Sequence, residues 1–322
     1  MKRLALALTL LTSSTAFAQY TPSAGQNAPA QAYEETRSAD GRVHFKPAKK
    51  PLAKDSHGNA AGNQYDLAVD GAFDGQTVLI LDQVGNTLEN TKAALLQKGL
   101  STVVYPHGLT PSVEELKEAL SKSCQIWLIS TSRPLLSKEH IALIKDFFEA
   151  GHGVYIWGDN DPLYADANRL ASALVPGLRM QGNLYGDLVV GLAHKGSAGV
   201  AVGHLITTGL EHLYEGVTIA TLLFDEQGGA RPKHLYGPKL PQAGRAWDSA
   251  IPRGFTPLMY GSAGNLVSAA YERNGRRLVI DGGFTRLAVN WDDAGTARFV
   301  KNAAAWLVNA ERFEDMVVGA LR

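Results

Sequence analysis

The sequence predicts a three-layer α/β fold, in which a mostly parallel, doubly wound sheet is covered by helices on both faces. Three observations carry this. Between residues 76 and 175, four short apolar runs rich in β-branched residues alternate with four helix-like segments. Continuous apolar runs of this length suit strands buried on both faces. The connections are short, and the helical segments carry start and stop signals of their own.

The elements follow in order. TVLILD (77–82) is the first strand, and NTLENTKAALLQKG after it is rich in helix formers and ends at Gly99, the residue that most readily closes a helix. STVVYP (101–106) is the second strand. Pro111, Ser112 and Val113 open a second helix that runs to about Ser121. QIWLIS (125–130) is the third strand. SKEHIALIKDFFEAG is the third helix, with Ile141, Ile144, Lys145 and Phe148 along one face and Gly151 at its end. VYIWG (154–158) is the fourth strand and PLYADANRLASALV the fourth helix, for which Asp161 is expected as N-cap and Pro162 as first-turn residue. Repeated β-α units of this kind build a flavodoxin-like sheet.

After Val175 the rhythm changes. Residues 178–193, 217–224, 256–262, 266–273 and 276–283 read as strands, and Asn274-Gly275 is a hairpin turn. Antiparallel strands are therefore added toward the C-terminus. Residues 225–255 form a long loop rich in Gly, Pro and cations, and a last helix spans about Asp293 to Ala310, with an apolar stripe of Ala297, Val300, Ala304 and Leu307.

The N-terminal residues lie outside this pattern. MKRLALALTLLTSSTAFA has a cationic start, a short apolar core and a small-x-small ending, the pattern of a cleaved signal peptide over 1–18. Residues 19–74 read as a low-complexity arm or linker, with RVHF (42–45) as a short edge strand, and 75–322 as a single α/β domain. The expectation is a soluble exported protein, periplasmic or secreted. No other run reaches the roughly 18 apolar residues of a membrane span. With 31 basic and 31 acidic side chains in 322 residues, no basic surface for nucleic acid is expected. The single cysteine, Cys124, precedes an apolar strand and reads as a small buried hydrophobe, leaving no intramolecular disulfide.

In an open parallel sheet, ligands bind outside the carboxyl ends of the strands. Those ends carry Asp82 and Gln83; Ser130, Thr131, Ser132 and Arg133; Gly158, Asp159, Asn160 and Asp161; and Asp281, Gly282, Gly283, Thr285 and Arg286. Helix capping accounts for Asp161 and Pro162, which leaves Asp159 the stronger ligand-binding candidate and Asn160 the lesser. Asn168 either reaches back to this rim or is solvated. The serine-hydrolase elbow, the P-loop and zincin spacing are absent. His194, His204 and His212 are dispersed, and His204 reads as a turn cap. Asp159 and Asp161 could contribute to an oxygen-ligated metal site, but the full calcium-loop pattern fails. No cofactor is named by any motif. Trp157, Tyr164, Tyr185, Trp247 and Trp291 read as core or rim packing.

Three features resemble the class I glutamine amidotransferase-like superfamily, especially its ThuA-like branch: the four β-α units, the loop HLITTGL, and the closing block RLVIDGGFTRLAVNWDDAGTARFVKNAAAWLVN. The resemblance covers about residues 76 to 310. It implies a nucleophilic cysteine at the elbow after the fourth strand, served by a His-Glu pair. Here the elbow reads Gly158-Asp159-Asn160-Asp161 and carries no thiol. The sequence therefore points to a non-catalytic module that binds a small molecule or an envelope protein at the carboxyl rim. The alternative is a hydrolase that uses Asp159 and Asp281, with or without a divalent metal, on a small molecule or envelope glycan. A third reading is an envelope scaffold that docks through residues 19–74.

Overall fold

The computed structural model describes residues 33–39, 42–47, 53–193, 198–224, 253–289, 291 and 294–313. The leader, most of the 225–255 loop, His194 and Trp247 lie outside the described residues. The alternating pattern folds as β3 (Gln76–Asp82), α1 (Glu89–Gln97), β4 (Leu100–Tyr105), α2 (Val113–Ser121), β5 (Gln125–Ile129), α3 (Lys138–Glu149), β6 (Gly153–Trp157) and α4 (Ala165–Leu174). A hairpin of β1 (Tyr33–Arg37) and β2 (Val43–Pro47) precedes it. The later strands are β7 (Leu178–Tyr185), β8 (Val189–Val190), β9 (Gly199–Val200), β10 (Leu213–Tyr214), β11 (Thr218–Phe224), β12 (Phe255–Tyr260), β13 (Leu266–Arg273) and β14 (Arg276–Asp281), followed by α5 (Thr296–Leu307).

The main sheet has the order β4-β3-β5-β6-β14-β13-β12-β9. Its first five strands are parallel, and β13, β12 and β9 continue it antiparallel. The parallel part has the flavodoxin order, in which the second strand lies outside the first. Alternate residues along the strands serve the two faces. Val78, Ile80, Trp127, Ile129, Tyr155, Trp157 and Val279 pack with α1 and α5, whereas Leu79, Leu81, Ile126, Leu128, Val154, Ile156, Leu278 and Ile280 pack with α2, α3 and α4. The three-layer α/β fold is therefore realised, with the expected antiparallel additions. β7 and β11 pair as a separate ribbon, and so do β8 and β10.

Local signals explain the helix ends. Ser112 accepts from the Glu115 amide while the Glu115 carboxylate accepts from Ser112 N, a capping box at the start of α2. The cap expected at Asp161 is not formed. The N-cap position of α4 falls at Tyr164, and Asp161 instead accepts from the Tyr164 hydroxyl at 3.0 Å. The two residues after β5 supply the cap: Ala165 N donates to Thr131 O and Ala167 N donates to Ser130 Oγ.

Residues 53–74, assigned from composition to the arm, are packed against the body. Leu67, Ala68 and Phe73 are buried in the core beside α1 and α5. Asp66 is 1% exposed and meets three cations, Lys98 at 2.9 Å, Lys301 at 2.6 Å and Arg298 at 3.0 Å. Burial pushes the Lys301 ammonium down, and Asp66 opposes that shift. Asn302 extends the clamp by accepting from Leu67 N and donating to Ile206 O and Thr208 O. Composition missed this segment because its polar residues are matched by partners far away in the chain. The loop HLITTGL is held by the same helix. His204 Nδ1 accepts from Ile206 N, so the histidine caps a 3₁₀ turn as expected, and its ring rests edge-on against Trp306.

Replacing Asp66 by Asn removes the counter-charge that Lys98, Lys301 and Arg298 share, although Lys98 keeps Asp70 at 2.7 Å, and breaking a buried pair this way costs about 3–5 kcal/mol. Urea unfolding of Asp66→Asn should show a loss of that order, whereas Glu118→Gln, which breaks the exposed Lys122 pair, should change stability by less than about 1 kcal/mol.

Candidate functional site

The carboxyl ends of β3, β5, β6 and β14 share one rim, as the parallel order requires. At the switch point between β3 and β5 the crevice is crossed by Gln83. Its Nε2 donates to Asp166 Oδ2 at 2.9 Å, its Oε1 accepts from Thr131 N at 3.4 Å, and its carbonyl bonds His107 Nδ1 at 2.7 Å. Asp166 is fully buried and also accepts from Leu135 N, Leu136 N and Arg169 Nη1. Asp82 Oδ1 accepts from Val84 N and Gly85 N and so fixes the turn after β3. Ser130 is spent on the α4 cap. Ser132 and Arg133 are exposed. Asn168 does not reach the rim and is not solvated: it bonds both the N–H and the carbonyl of Met180 and ties α4 to β7.

The centre of the rim is the elbow after β6. Gly158 sits in a tight place, where an added Cβ would push against the flexible end of Met180. Asp159 has no exposed surface. Its Oδ1 accepts from Asn160 N at 2.8 Å and Thr218 Oγ1 at 3.1 Å, and its Oδ2 accepts from Thr285 N at 3.1 Å. The Thr218 hydroxyl also lies 2.8 Å from Asn160 Oδ1, and Thr285 Oγ1 accepts from Val217 N. Asn160, Thr218 and Thr285 are half-buried. The β7–β11 ribbon thus joins the elbow, and Tyr185, paired opposite Thr218, is 74% exposed. Trp157 and Trp291 are buried and Tyr164 half-buried, as expected of packing residues, so Tyr185 is the exception among the described aromatic candidates.

Asp281 and Arg286 form a second, fully buried unit, 2.8 Å apart. Asp281 Oδ1 also accepts from Gly283 N. Arg286 donates to Gly283 O and Glu215 O and lies over the rings of Trp157 and Phe299. Burial pushes the Asp281 carboxyl up, and Arg286 opposes the shift. Asp281 Oδ2, the Tyr155 hydroxyl and Trp157 Nε1 are buried without a hydrogen-bond partner. Asp159 and Asp281 share no partner, so the two carboxylates of the hydrolase alternative sit in separate networks. Glu215 is buried as well; its carboxylate accepts from Ser262 N and Ser262 Oγ at 2.6 Å each, and burial pushes it up. Glu215 and Thr218 were not singled out from sequence, and only the start of the strand VTIATLLF hinted at Thr218. Among the described residues no group of three or more His, Cys, Asp or Glu side chains is placed to hold a metal ion, and no helix is long and apolar enough to cross a membrane.

Cys124 lies at the opposite end of the sheet. Its thiol is buried, donates to Thr77 O, and is pushed up to about 12 by burial. A thiol reagent should therefore leave the folded protein unmodified at pH 8 and label it stoichiometrically in denaturant.

Burial pushes the Asp159 carboxyl up to about 6 from 3.8, against the hydrogen bonds from Asn160, Thr285 and Thr218. The folded protein therefore holds this proton more tightly than the unfolded chain. The contribution is full below pH 3.8 and is lost as pH rises through about 6. Burial pushes His204 the other way, down to about 4 from 6.5, with Arg277 adding to it. That contribution is full above pH 6.5 and is lost as pH falls toward 4. The two slopes oppose one another in one window. Asp159→Asn should lose stability relative to wild type progressively as pH falls from 6.5 to 4.5, by roughly 2 kcal/mol at the acid end. Denaturant unfolding across that range reads this directly, and a difference independent of pH would contradict it.

No protein-family model matches the chain, and no curated protein matches it. Solved structures similar to it include a candidate GMP synthase protein from Thermoplasma acidophilum, at 10% identity and a TM-score of 0.40, covering 75% of this chain and 98% of that one. A cytoplasmic protein from Salmonella typhimurium is similar at 10% identity and a TM-score of 0.42, covering 72% of this chain and 97% of its own. The exo-β-1,4-mannosidase of an Opitutaceae bacterium aligns at 10% identity and a TM-score of 0.32, over 77% of this chain and 35% of that enzyme.

Proposed function

We propose that this chain is an exported, non-catalytic binding module that takes a small molecule or an envelope protein at its carboxyl rim. The observation that carries the reading is the state of the rim's buried acids. Asp82, Asp166, Asp281 and Glu215 are engaged by the protein's own donors. The elbow at Gly158-Asp161, where the resemblance to amidotransferase-like proteins would put a nucleophile, carries none. Asn160, Thr218 and Thr285, with exposed Tyr185 beside them, offer hydrogen-bonding groups and an apolar ring within reach of solvent. A few polar groups around an apolar surface suit recognition. The raised Asp159 carboxyl supports the second reading, a carboxylate hydrolase, because such a group can hold a proton near neutral pH.

Thermal-shift titration with mono- and disaccharides, nucleotides, muropeptides and divalent cations separates the readings. A ligand that raises the melting temperature of wild type but not of Asn160→Ala, and is recovered chemically unchanged, is the expected outcome. A ligand recovered as a hydrolysis product, with turnover abolished in Asp159→Asn, would establish the hydrolase instead. A shift unaltered by Asn160→Ala and Tyr185→Ala would remove the rim as the site.

A further inference from the structure

The opposite pole of the sheet, at the amino ends of the strands, holds a cavity of about 450 Å³. Gln76 at the start of β3, Cys124 before β5 and His152 before β6 line it, and so do Leu120 of α2, Leu143 and Phe147 of α3, and Val308 after α5. Its walls are mainly apolar. Phe147 stacks on His152 with ring centroids 4.2 Å apart, and Phe313 stacks on His152 at 4.7 Å, both with an interplanar angle of 12°. These rings are thus used on one another, and the remaining apolar lining is aliphatic. Burial pushes His152 down, so the imidazole adds no charge to this wall at neutral pH.

Two lysines stand at the mouth. Lys117 and Lys122 line the cavity, and among the described residues no carboxylate does. Lys122 is paired with Glu118 at 2.6 Å. Lys117 is exposed and makes no ion pair or hydrogen bond among the described residues. Arg312 lies just outside, over the Phe313 ring. A mainly apolar wall of aliphatic side chains and stacked rings, with lysines at its mouth, matches a ligand with an apolar chain and an anionic head.

We propose that this amino-end cavity binds a small aliphatic carboxylate, with its chain against Leu120, Leu143 and Val308 and its carboxylate at Lys117 and Lys122. The site is separate from the carboxyl rim and independent of the function assigned there. The thiol of Cys124 takes no part beyond packing, since it is protonated and bonded to Thr77 O.

The test is calorimetric titration of the full chain with decanoate below its micellar concentration, beside decan-1-ol and decylamine. Decanoate should bind saturably and raise the melting temperature, and the alcohol and the amine should bind more weakly. Lys117→Glu, at an exposed position, should weaken decanoate by about fivefold or more, and Leu143→Trp should weaken all three by filling the cavity. Asn160→Ala, on the rim, should leave decanoate binding unchanged. Both cavity variants are checked by circular dichroism. Absence of saturable decanoate binding overturns the site. Equal binding of decanoate and decan-1-ol, or binding indifferent to Lys117→Glu, overturns the carboxylate assignment. Binding that survives Leu143→Trp and is lost in Asn160→Ala places the ligand at the rim and overturns the cavity.

Discussion

Arg286 is the charge around which the rim is assembled. A guanidinium cannot shed its proton, so a fully buried one needs a fixed counter-charge and a full set of acceptors. Asp281 supplies the charge from the end of β14, Gly283 and Glu215 supply carbonyls, and Trp157 and Phe299 cover its faces. Those partners come from β6, β14, the β10–β11 connection and α5. Arg286 thereby fixes where the connection carrying Glu215 sits, and with it the position of Thr218 against the β6 elbow. The hydrogen bonds of Asp159 are a consequence of that placement.

The same constraint limits what the rim can do. Withdrawing Asp281 toward a substrate would leave Arg286 uncompensated in a site with no exposure, which is among the costliest changes a fold can make. Asp166, with four donors, and Asp82, which holds a turn, are equally committed. The rim groups that reach solvent include Asn160, Asp161, Thr131, Thr218, Thr285, Ser132, Arg133 and Tyr185. They can recognise a ligand without breaking a buried ion pair.

The sheet was legible because its information is local. TVLILD, QIWLIS and VYIWG became β3, β5 and β6 within a residue at each end, since a strand buried on both faces announces itself in a short window. The rim positions followed from topology alone. The roles of its residues did not follow, because each depends on a distant partner. Ser130 looked like a ligand-binding hydroxyl and caps α4, a helix that starts only after another whole β-α unit. Asp161 looked like that cap and is not, because Ser130 and Thr131 already satisfy the first amides. Asp66 and Asn59 looked like linker residues; Asn59 accepts from Glu211 N and His212 N, and Asp66 closes on α5. Neither pairing leaves any trace in composition.

Asp159 shows how far local reading can be right for an incomplete reason. It stood out because capping did not explain it, and burial pushes its carboxyl up to about 6. The cause, however, is not a neighbouring acid. Three donors would ordinarily hold a carboxyl down, so its rise to about 6 reflects how far the β7–β11 ribbon and the 283–286 turn bury it. A group in that state responds to whatever alters its cover. The single hydroxyl of Thr218 touches both Asp159 and Asn160, so the cover over the buried carboxyl and the placement of the rim amide depend on one side chain.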